Sequence, residues 1–241
     1  MRTDGRTLDQ SRDVEIQADI IRNSEGSVLI KYGHTHVICT ASVELKVPKW
    51  MQGSGKGWLS AEYGMLPRST HSRMRRDKAA NSGRTQEISR LIGRSLRAVL
   101  DMEALGEKQI YIDCDVIQAD GGTRTAAITG GFVALAFCLN FLKNKGELKT
   151  IPLKSYLSAV SVGLKANEAF LDLNYDEDST IETDMNFVLT SHNKFVEIQG
   201  TAEAEPFDNE QLQSMIKLAQ LGCEKLFKKQ QDLIGDFFPL N

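Results

Sequence analysis

A short polar segment at residues 121–126, Gly-Gly-Thr-Arg-Thr-Ala, has the residue types that bind an oxyanion. Its two glycines allow the backbone to approach a ligand closely, and the first N–H groups of a following helix are unpaired at the positive end of the helix dipole. Thr123 and Thr125 add hydroxyl donors, and Arg124 adds a planar cation that suits phosphate oxygens. The segment therefore predicts a phosphate-sized anion site. The alternative is an ordinary strand-to-helix turn with Thr123 as its N-cap.

Two common nucleotide motifs are missing from this segment. It has neither the lysine followed by Ser or Thr of a P-loop nor the G-x-G-x-x-G pattern of dinucleotide sites. Nucleoside triphosphate and NAD binding are therefore not favoured. Residues 83–85, Gly-Arg-Thr, form a second turn before a helical pattern, and Arg84 would reach an anion held over that helix terminus. On the pattern alone, an exposed surface arginine is the favoured interpretation of Arg84.

An acidic stretch supplies candidate carboxylates. Residues 168–184 contain seven acidic residues and no basic one, and within them Asp178 and Asp184 lie on a predicted loop and at the start of a predicted strand. Paired carboxylates beside a phosphate can hold Mg²⁺, or one of them can give a proton to a leaving oxygen. A solvated acidic loop is the alternative. Beside a cationic anion site, the pair favours phosphoryl or nucleotidyl transfer.

Positive charge is concentrated in one part of an otherwise acidic chain. The formal net charge is −3, but residues 68–97 contain nine Lys or Arg and two Asp or Glu, a local charge of +7 that leaves −10 for the remainder. Such an island indicates a localised anion site. Arg68, Arg73, Arg75 and Arg76, with His71 among them, lie in a predicted loop. They suit contact with an RNA phosphate backbone, and a general surface loop is the alternative.

The elements that must position these residues follow from periodicity. Helical spacing of apolar residues predicts helices over Thr85–Leu105, Thr123–Leu142 and Asp208–Leu233, the last with a capping box. The helix from Thr123 is almost wholly apolar and must be buried. Strands are predicted at 28–43 with a turn at 33–36, at 109–118, at 158–164 with 169–173, and at 185–190 with 195–200. Residues 46–60 and 65–83 are predicted to be loops. The pattern predicts an α+β fold with two β-α halves packed as one domain over residues 1–241.

Composition excludes several classes. Hydrophobic residues make up 41% and charged residues 25%, which is ordinary for a soluble globular protein. The four cysteines and four histidines are dispersed, so buried reduced thiols are expected in place of a zinc site or a disulfide framework. The N-terminus lacks the apolar segment of a signal peptide, and no apolar run reaches the roughly 20 residues of a membrane span. We therefore expect a cytoplasmic protein with no membrane contact.

At this point the motifs, in their order along the chain, match a known family. The longest match is residues 113–126, Asp-Cys-Asp-Val-Ile-Gln-Ala-Asp-Gly-Gly-Thr-Arg-Thr-Ala. The others are Met-Arg-x-Asp-Gly-Arg at 1–6, Leu-Pro-Arg-Ser-Thr at 66–70, Gly-Arg-Thr-x-Glu-Ile at 83–88, Glu-Thr-Asp-Met-Asn at 182–186 and Gln-Gly-Thr-Ala-Glu at 199–203. Together they cover nearly the whole chain and resemble the bacterial RNase PH family, phosphorolytic 3′-to-5′ exoribonucleases that act on tRNA.

The resemblance implies a fold, a reaction and roles for residues. The fold would be RNase PH-like, and the assembly a homohexamer, a trimer of dimers. Inorganic phosphate would be a co-substrate held by Arg84, Gly122, Thr123 and Arg124. Asp178 and Asp184 would be the acidic pair at the scissile bond. With Arg84 and Arg124 they would form the catalytic set, and they are the candidate ligands of Mg²⁺.

The resemblance also implies the substrates. Arg68, Arg73 and Arg76 would hold the tRNA acceptor region. The enzyme would trim nucleotides after the CCA end of tRNA precursors, release nucleoside 5′-diphosphates, act on other RNA 3′ ends including rRNA, and run in reverse from nucleoside diphosphates. Two other classes of function compete with this one. An RNA-binding ring subunit without activity would be expected to lose the arginines or the acidic pair, and a two-metal hydrolase would need more clustered carboxylates.

Overall fold

Two β-sheets and the helices packed on them make up the computed structural model, which describes residues 2, 4–76 and 82–240. The strands of the first half are β1 (Val14–Ala18), β2 (Gly26–Tyr32), β3 (Thr35–Glu44), β4 (Trp58–Met65) and β5 (Gln109–Gln118). They form one sheet in the order β1-β2-β3-β5-β4, in which only the β4–β5 pair is parallel. A one-turn 3₁₀ helix, Lys49–Met51, lies in the connection from β3 to β4.

The helices described in the first half are α1 (Gly83–Val99), α2 (Met102–Leu105) and α3 (Thr123–Asn144). The α1 helix buries one apolar face, and its N-cap Ser82 accepts a hydrogen bond from the Thr85 N–H. The predicted apolar face is confirmed, but the helix begins at Gly83, two residues before the predicted start at Thr85.

The predicted end of this helix at Leu105 is wrong. Helix α1 stops at Val99 because Leu100 is extended and forms an isolated antiparallel bridge with Leu153. Asp101 then caps the separate short helix α2, since its side chain accepts hydrogen bonds from the N–H groups of residues 103 and 104. A partner more than 50 residues away thus interrupts a helical pattern that is continuous in the sequence.

The second half contains four strands and two helices. They are β6 (Leu157–Lys165), β7 (Glu168–Leu171), α4 (Tyr175–Asp178), β8 (Thr183–Thr190), β9 (Phe195–Ala202) and α5 (Asn209–Ile234). The sheet is antiparallel in the order β7-β6-β8-β9. Asp208 and Gln211 form the predicted capping box at the start of α5. Both predicted strand pairs of this half are confirmed.

Helix α3 is the core of the protein and joins the two halves. It packs against β2 and β3 of the first sheet and β6 of the second. By length and composition α3 could cross a membrane, but 83% of its most apolar 18-residue window is buried inside the protein. The prediction that this helix is buried is confirmed. Buried hydrogen bonds tie it across the halves, since Tyr32 donates to the Thr129 hydroxyl and the Ala159 N–H donates to the same oxygen.

Two strands are absent from the sequence-based prediction. One is β1, and the other is β4, whose residues were assigned to a loop and to an unassigned stretch beside it. Strand β4 pairs in parallel with β5, about 50 residues further along the chain, so its partner could not be found from local patterning. The four cysteines are buried and free, as expected.

Candidate functional site

One cavity of about 610 Å³ collects the predicted anion-binding and acidic residues. Elements from both halves line it: the starts of α1 and α3, the short helix α4, and strands β8 and β9. All six residues predicted for phosphate binding and catalysis line this cavity, namely Arg84, Gly122, Thr123, Arg124, Asp178 and Asp184. Two helix N-termini and two carboxylates that are distant in sequence therefore share one space.

The turn before α3 has a backbone that glycine permits. Gly121 and Gly122 have φ angles of 71° and 66°, in the left-handed region. A Cβ on Gly121 would lie 2.6 Å from the Leu173 carbonyl oxygen, so no larger residue fits there. The Thr35 hydroxyl fixes the turn by donating to the Gly121 carbonyl at 2.6 Å and accepting from the Asp120 N–H at 2.9 Å. The N-cap of α3 is Gly122, not Thr123.

Thr123 is the first helical residue, and its hydroxyl is oriented from below. The Tyr63 hydroxyl donates to Thr123 Oγ1 at 2.8 Å. Since that contact uses Thr123 as an acceptor, the Thr123 hydroxyl retains its own proton for another acceptor. Tyr63 is nearly fully buried, and burial raises its pKa. It therefore stays a neutral donor at physiological pH.

Arg124 is held in place by two neighbours from other elements. Its guanidinium donates to Gln199 Oε1 at 3.0 Å and lies 3.8 Å from Glu87 Oε1. The Gln199 amide donates in turn to Glu87 at 2.7 Å. Helix α1 and strand β9 thus position an arginine of α3, which explains why Glu87 and Gln199 belong to the motifs. Arg84 lies on the first turn of α1 and is exposed.

The two carboxylates have raised pKa values. Burial, followed by the negative charge of Asp178, raises the pKa of Asp184 from 3.8 to about 6, while Arg124 and Arg84 oppose the shift. Partial burial also raises the pKa of Asp178, again against Arg84 and Arg124. Asp184 Oδ1 is buried without a hydrogen-bond partner among the described residues. The pair therefore favours a bound proton or cation.

Helix α4, which carries Asp178, is fixed by a buried arginine near the N-terminus. Arg2 makes two hydrogen bonds of 2.6 Å to the Glu177 carboxylate and donates to the carbonyls of Leu171 and Asp172. Glu177 also completes a capping box with Asn174. The structure places Asp178 at the end of this helix, where the sequence predicted a loop.

A second buried arginine supports the turn before α3. Arg12 donates to both carboxylate oxygens of Asp172, at 2.7 and 3.0 Å, and also to the Asp120 carbonyl. Asp172 is 2% exposed. Sequence reasoning assigned no role to Arg12 or Asp172. In the sequence, Arg12 lies outside the cationic island and Asp172 is one of several acidic residues in the acidic stretch. Neither position indicates that the two residues bind each other.

The arginine loop borders the cavity. Thr70 and Met74 of this loop line the cavity, and the Ala119 N–H donates to the Ser69 carbonyl at 2.8 Å. The three arginines predicted to bind RNA, Arg68, Arg73 and Arg76, are exposed on this loop but are not among the residues that line the cavity. The loop continues into residues 77–81, which lie outside the described residues.

Two family models match the chain. The model described as "3' exoribonuclease family, domain 1" matches residues 10–138, and "3' exoribonuclease family, domain 2" matches residues 155–222. The chain belongs to the RNase PH family. A protein named Ribonuclease PH from Bdellovibrio bacteriovorus is 57% identical over 240 residues, which cover 100% of this chain and 99% of that protein. The predicted family is thereby confirmed.

Solved structures of RNase PH-like proteins share the fold. Rice (Oryza sativa) Rrp46 superposes with a TM-score of 0.78 at 17% identity, covering 97% of this chain and 100% of that one. The Archaeoglobus fulgidus exosome with RNA bound to the active site gives 0.79 at 20% identity, covering 95% and 92%. The predicted α+β, RNase PH-like fold is confirmed, and the two matched family domains correspond to the two halves.

Proposed function

We propose that this RNase PH family member shortens tRNA precursors from their 3′ ends by phosphorolysis. Inorganic phosphate attacks the last phosphodiester, and a nucleoside 5′-diphosphate leaves. The observation that carries the proposal is the shared cavity, in which Arg84, the Gly122–Arg124 turn and the pair Asp178 and Asp184 face one space. Cations that can bind a phosphate nucleophile thus lie beside carboxyl groups that can give a proton to a leaving oxygen.

Phosphate binding is assigned to the starts of α1 and α3. Gly122 gives backbone access, Thr123 contributes a hydroxyl, and Arg84 and Arg124 offset the repulsion between two anions that must approach each other. Because the nucleophile needs little activation, holding it in line supplies much of the rate. A phosphodiester is exchanged for a phosphoanhydride, so the same site also runs in reverse and extends RNA from nucleoside diphosphates.

The departing 3′-oxygen of the preceding ribose needs a proton. As the new P–O bond forms to the attacking phosphate oxygen, the P–O3′ bond breaks and the oxygen leaves as a hydroxyl. Asp184, with a pKa raised to about 6, is the better donor of the pair, since two arginines oppose the shift at Asp178 more directly. In the metal-free site, Asp184 is therefore assigned as the general acid and Asp178 as the charge that raises its pKa. If the pair held Mg²⁺, both carboxylates would be ionised, and the ion would neutralise charge in place of the proton.

The acidic pair also fits Mg²⁺. Among the described residues no group of three or more metal-ligating side chains is found, but Mg²⁺ needs only one or two carboxylates when substrate phosphates and waters complete its shell. The unpartnered Oδ1 of Asp184 and the carboxylate of Asp178 would hold it. When bound, Mg²⁺ would neutralise charge on the attacked phosphate.

The raised pKa of Asp184 leads to a prediction for the free energy of unfolding. In metal-free buffer, Asp184→Asn is expected to raise the free energy of unfolding by about 1–3 kcal/mol at pH 8. The folded-state pKa of Asp184 lies above its unfolded value of 3.8, so ionisation above about pH 6 destabilises the folded protein. The gain should shrink as the pH falls through 6 and vanish below 3.8. Urea denaturation with EDTA measures it.

The matched control for this prediction is Asp232→Asn, at an exposed position on α5. It should leave the free energy of unfolding unchanged both at pH 8 and in acid. Added Mg²⁺ should stabilise the wild type more than Asp184→Asn, which tests the metal assignment without an activity assay. Equal stability of wild type and Asp184→Asn at pH 8 would contradict the destabilising role of this carboxylate.

RNA binding is assigned to the rim of the cavity. Arg68, Arg73 and Arg76 are exposed on the loop next to the site and suit phosphate-backbone contacts that do not depend on sequence. Such contacts hold the acceptor region of a tRNA while its 3′ end enters the cavity. They would equally serve other RNA 3′ ends, including rRNA.

The assembly, domain structure and location remain part of the proposal. We propose a cytoplasmic homohexamer, a trimer of dimers, in which each subunit is one domain of two halves. The shared core helix α3 supports the single domain, and exposed Phe195 and Ile198 on the edge strand β9 supply apolar surface for subunit contact. Sedimentation equilibrium would give six times the 26.8 kDa subunit mass.

The reaction itself is tested with a tRNA that carries extra 3′ nucleotides, incubated with Mg²⁺ in the presence or absence of inorganic phosphate. We expect nucleoside diphosphates only when phosphate is present, identified by chromatography of the released nucleotides. Monophosphates released without phosphate would mean hydrolysis and would remove the assigned role of Arg84 and Arg124. No release under either condition would favour a scaffold subunit.

A further inference from the structure

Tyr175 is an exposed aromatic residue inside the cavity with no role in the reaction described above. Its side chain is 52% exposed and lines the same space as Arg124, Asp178 and Asp184. Large apolar or aromatic side chains with this exposure are commonly interaction sites when they lie in a concave polar region. The remaining question is whether the ring is held firmly enough to act as a binding surface.

The backbone of Tyr175 is fixed on both sides. Its N–H donates to Asp120 Oδ1 at 3.2 Å, which ties it to the residue directly before the Gly121–Gly122 turn. It starts the short helix α4, which the Arg2–Glu177 ion pair anchors to the core. Asp178 follows three residues later, a spacing that places Cβ atoms about 5–6 Å apart. The backbone of Tyr175 is therefore fixed between the anion-binding turn and Asp178, and the residue lines the cavity that both share.

His71 of the arginine loop contacts this ring from the rim. The two ring centroids are 5.8 Å apart and the planes are tilted by 59°. This contact leaves Tyr175 52% exposed, so much of the residue is still accessible to a ligand. Arg68 donates to the His71 carbonyl at 3.0 Å, which links this contact to the loop assigned to RNA.

We propose that the face of Tyr175, with His71 beside it, stacks on the base of the 3′-terminal nucleotide. The inference rests on the phosphorolysis proposed above. In that reaction the terminal nucleotide leaves joined to the incoming phosphate, so its base must lie within one nucleoside diphosphate of the Gly122–Arg124 turn. Tyr175 meets this requirement through its contact with Asp120. Stacking accepts every base, as an exonuclease that removes successive nucleotides requires.

The test is equilibrium binding of a short single-stranded RNA, labelled at its 5′ end, without inorganic phosphate. Fluorescence anisotropy gives the Kd. Tyr175→Ala is expected to weaken binding by about 5- to 150-fold, and Tyr175→Phe, which keeps the ring, should restore most of the affinity. For an RNA whose 3′-terminal nucleotide is abasic, the wild type should lose the same factor and Tyr175→Ala should lose nothing further.

Two results with Tyr175→Ala would overturn the proposal, and a third result would overturn its assignment to the terminal base. One is an unchanged Kd for Tyr175→Ala, and the other is an equal loss on intact and abasic RNA, which would mean that the residue acts only on the structure. If an abasic penultimate nucleotide proves to be the sensitive position, the assignment to the terminal base is wrong. Trp50→Ala, an exposed ring outside the cavity, is the matched control and should bind as the wild type does.

The same proteins separate this inference from the reaction on which it rests. Phosphorolysis is measured with phosphate and read as nucleoside diphosphate, whereas stacking is measured without phosphate and read as Kd. A wild type that shows the expected Kd pattern but releases no diphosphate refutes the proposed reaction alone. A wild type that phosphorolyses RNA while Tyr175→Ala binds normally refutes the stacking alone.

Discussion

Arg84→Ala is expected to lower kcat/KM for inorganic phosphate by roughly 10²–10³-fold while leaving RNA affinity nearly unchanged. Arg84 is exposed at the N-terminus of α1 and faces the anion-binding turn across the cavity. Its loss removes a cation that offsets repulsion between the attacking phosphate and the RNA phosphodiester. Steady-state kinetics with phosphate as the varied substrate, together with RNA binding by anisotropy, measure the two quantities separately.

Arg73→Ala is the complementary variant. Arg73 lies on the exposed loop assigned to RNA, so its removal should weaken RNA binding and reduce the salt dependence of the Kd, with little change in the KM for phosphate. Arg94→Ala on the opposite part of α1, where the side chain pairs with Glu197, controls for the general loss of an arginine. An unchanged kcat/KM for phosphate in Arg84→Ala would contradict the assignment.

Arg124→Ala should affect catalysis at least as strongly, for an additional reason. Its guanidinium is held by Gln199 and lies near Glu87, so the cation is already oriented before phosphate binds. Such prior orientation avoids reorganisation in the reaction. The contacts also mean that an alanine at 124 removes the cation from Glu87 and Gln199, which keep their hydrogen bond to each other. Arg84 is therefore the cleaner residue with which to test phosphate binding.

The sequence predicted the functional residues of the site better than it predicted the contacts that hold them in place. Glycines before a helix, arginines on two helix starts and a pair of aspartates could be recognised from residue type and spacing alone. Their convergence on one cavity could not, because it depends on how α1, α3 and α4 pack across the two halves. The family motifs implied the convergence, and the geometry agrees with it.

Long-range pairing explains the errors in the fold. Strand β4 does alternate apolar residues, at 59, 61, 63 and 65, with Ser60, Glu62 and Gly64, but the glycines just before it favoured a loop. Its parallel pairing with β5, about 50 residues away, identifies it as a strand. The break at Leu100 likewise depends on Leu153. Where local chemistry was sufficient, as in the Asp208 cap of α5, the prediction was correct to the residue.

The arginines near the N-terminus show the same limitation within the site. Arg2 was part of a recognised motif, but only the structure shows that it binds Glu177 and fixes the helix of Asp178. Arg12 and Asp172 are 160 residues apart and were not singled out. Ion pairs of this kind depend on the complete fold. They leave no periodic pattern in the sequence, although they determine where the reactive groups are held.

Asp172→Asn is expected to lower the free energy of unfolding at pH 7 by about 3–5 kcal/mol, because it leaves the buried Arg12 guanidinium without its counter-charge. Asparagine is nearly isosteric and tolerates the left-handed φ of 56° at this position, so the change removes charge without adding strain. Urea denaturation measures the loss. Asp176→Asn, an exposed carboxylate on α4, should stay within about 0.5 kcal/mol of the wild type.

The pH dependence identifies the cause of this loss. Burial alone would raise the pKa of Asp172, but the charge and hydrogen bonds of Arg12 outweigh it and hold the pKa below 3.8. The carboxylate therefore stabilises the protein above pH 3.8, and this contribution is lost as the pH falls through the lower folded-state value. The difference in the free energy of unfolding between wild type and Asp172→Asn should therefore be constant from about pH 5 to 8, because this range lies about 1 unit or more above the unfolded pKa. The difference should narrow in acid.

Because Arg12 also donates to the Asp120 carbonyl before the anion-binding turn, the variant should raise the KM for phosphate as well. An equal loss of unfolding free energy at every pH would show that the Arg12–Asp172 pair does not titrate as proposed. An unchanged KM for phosphate would show that the pair does not support the site.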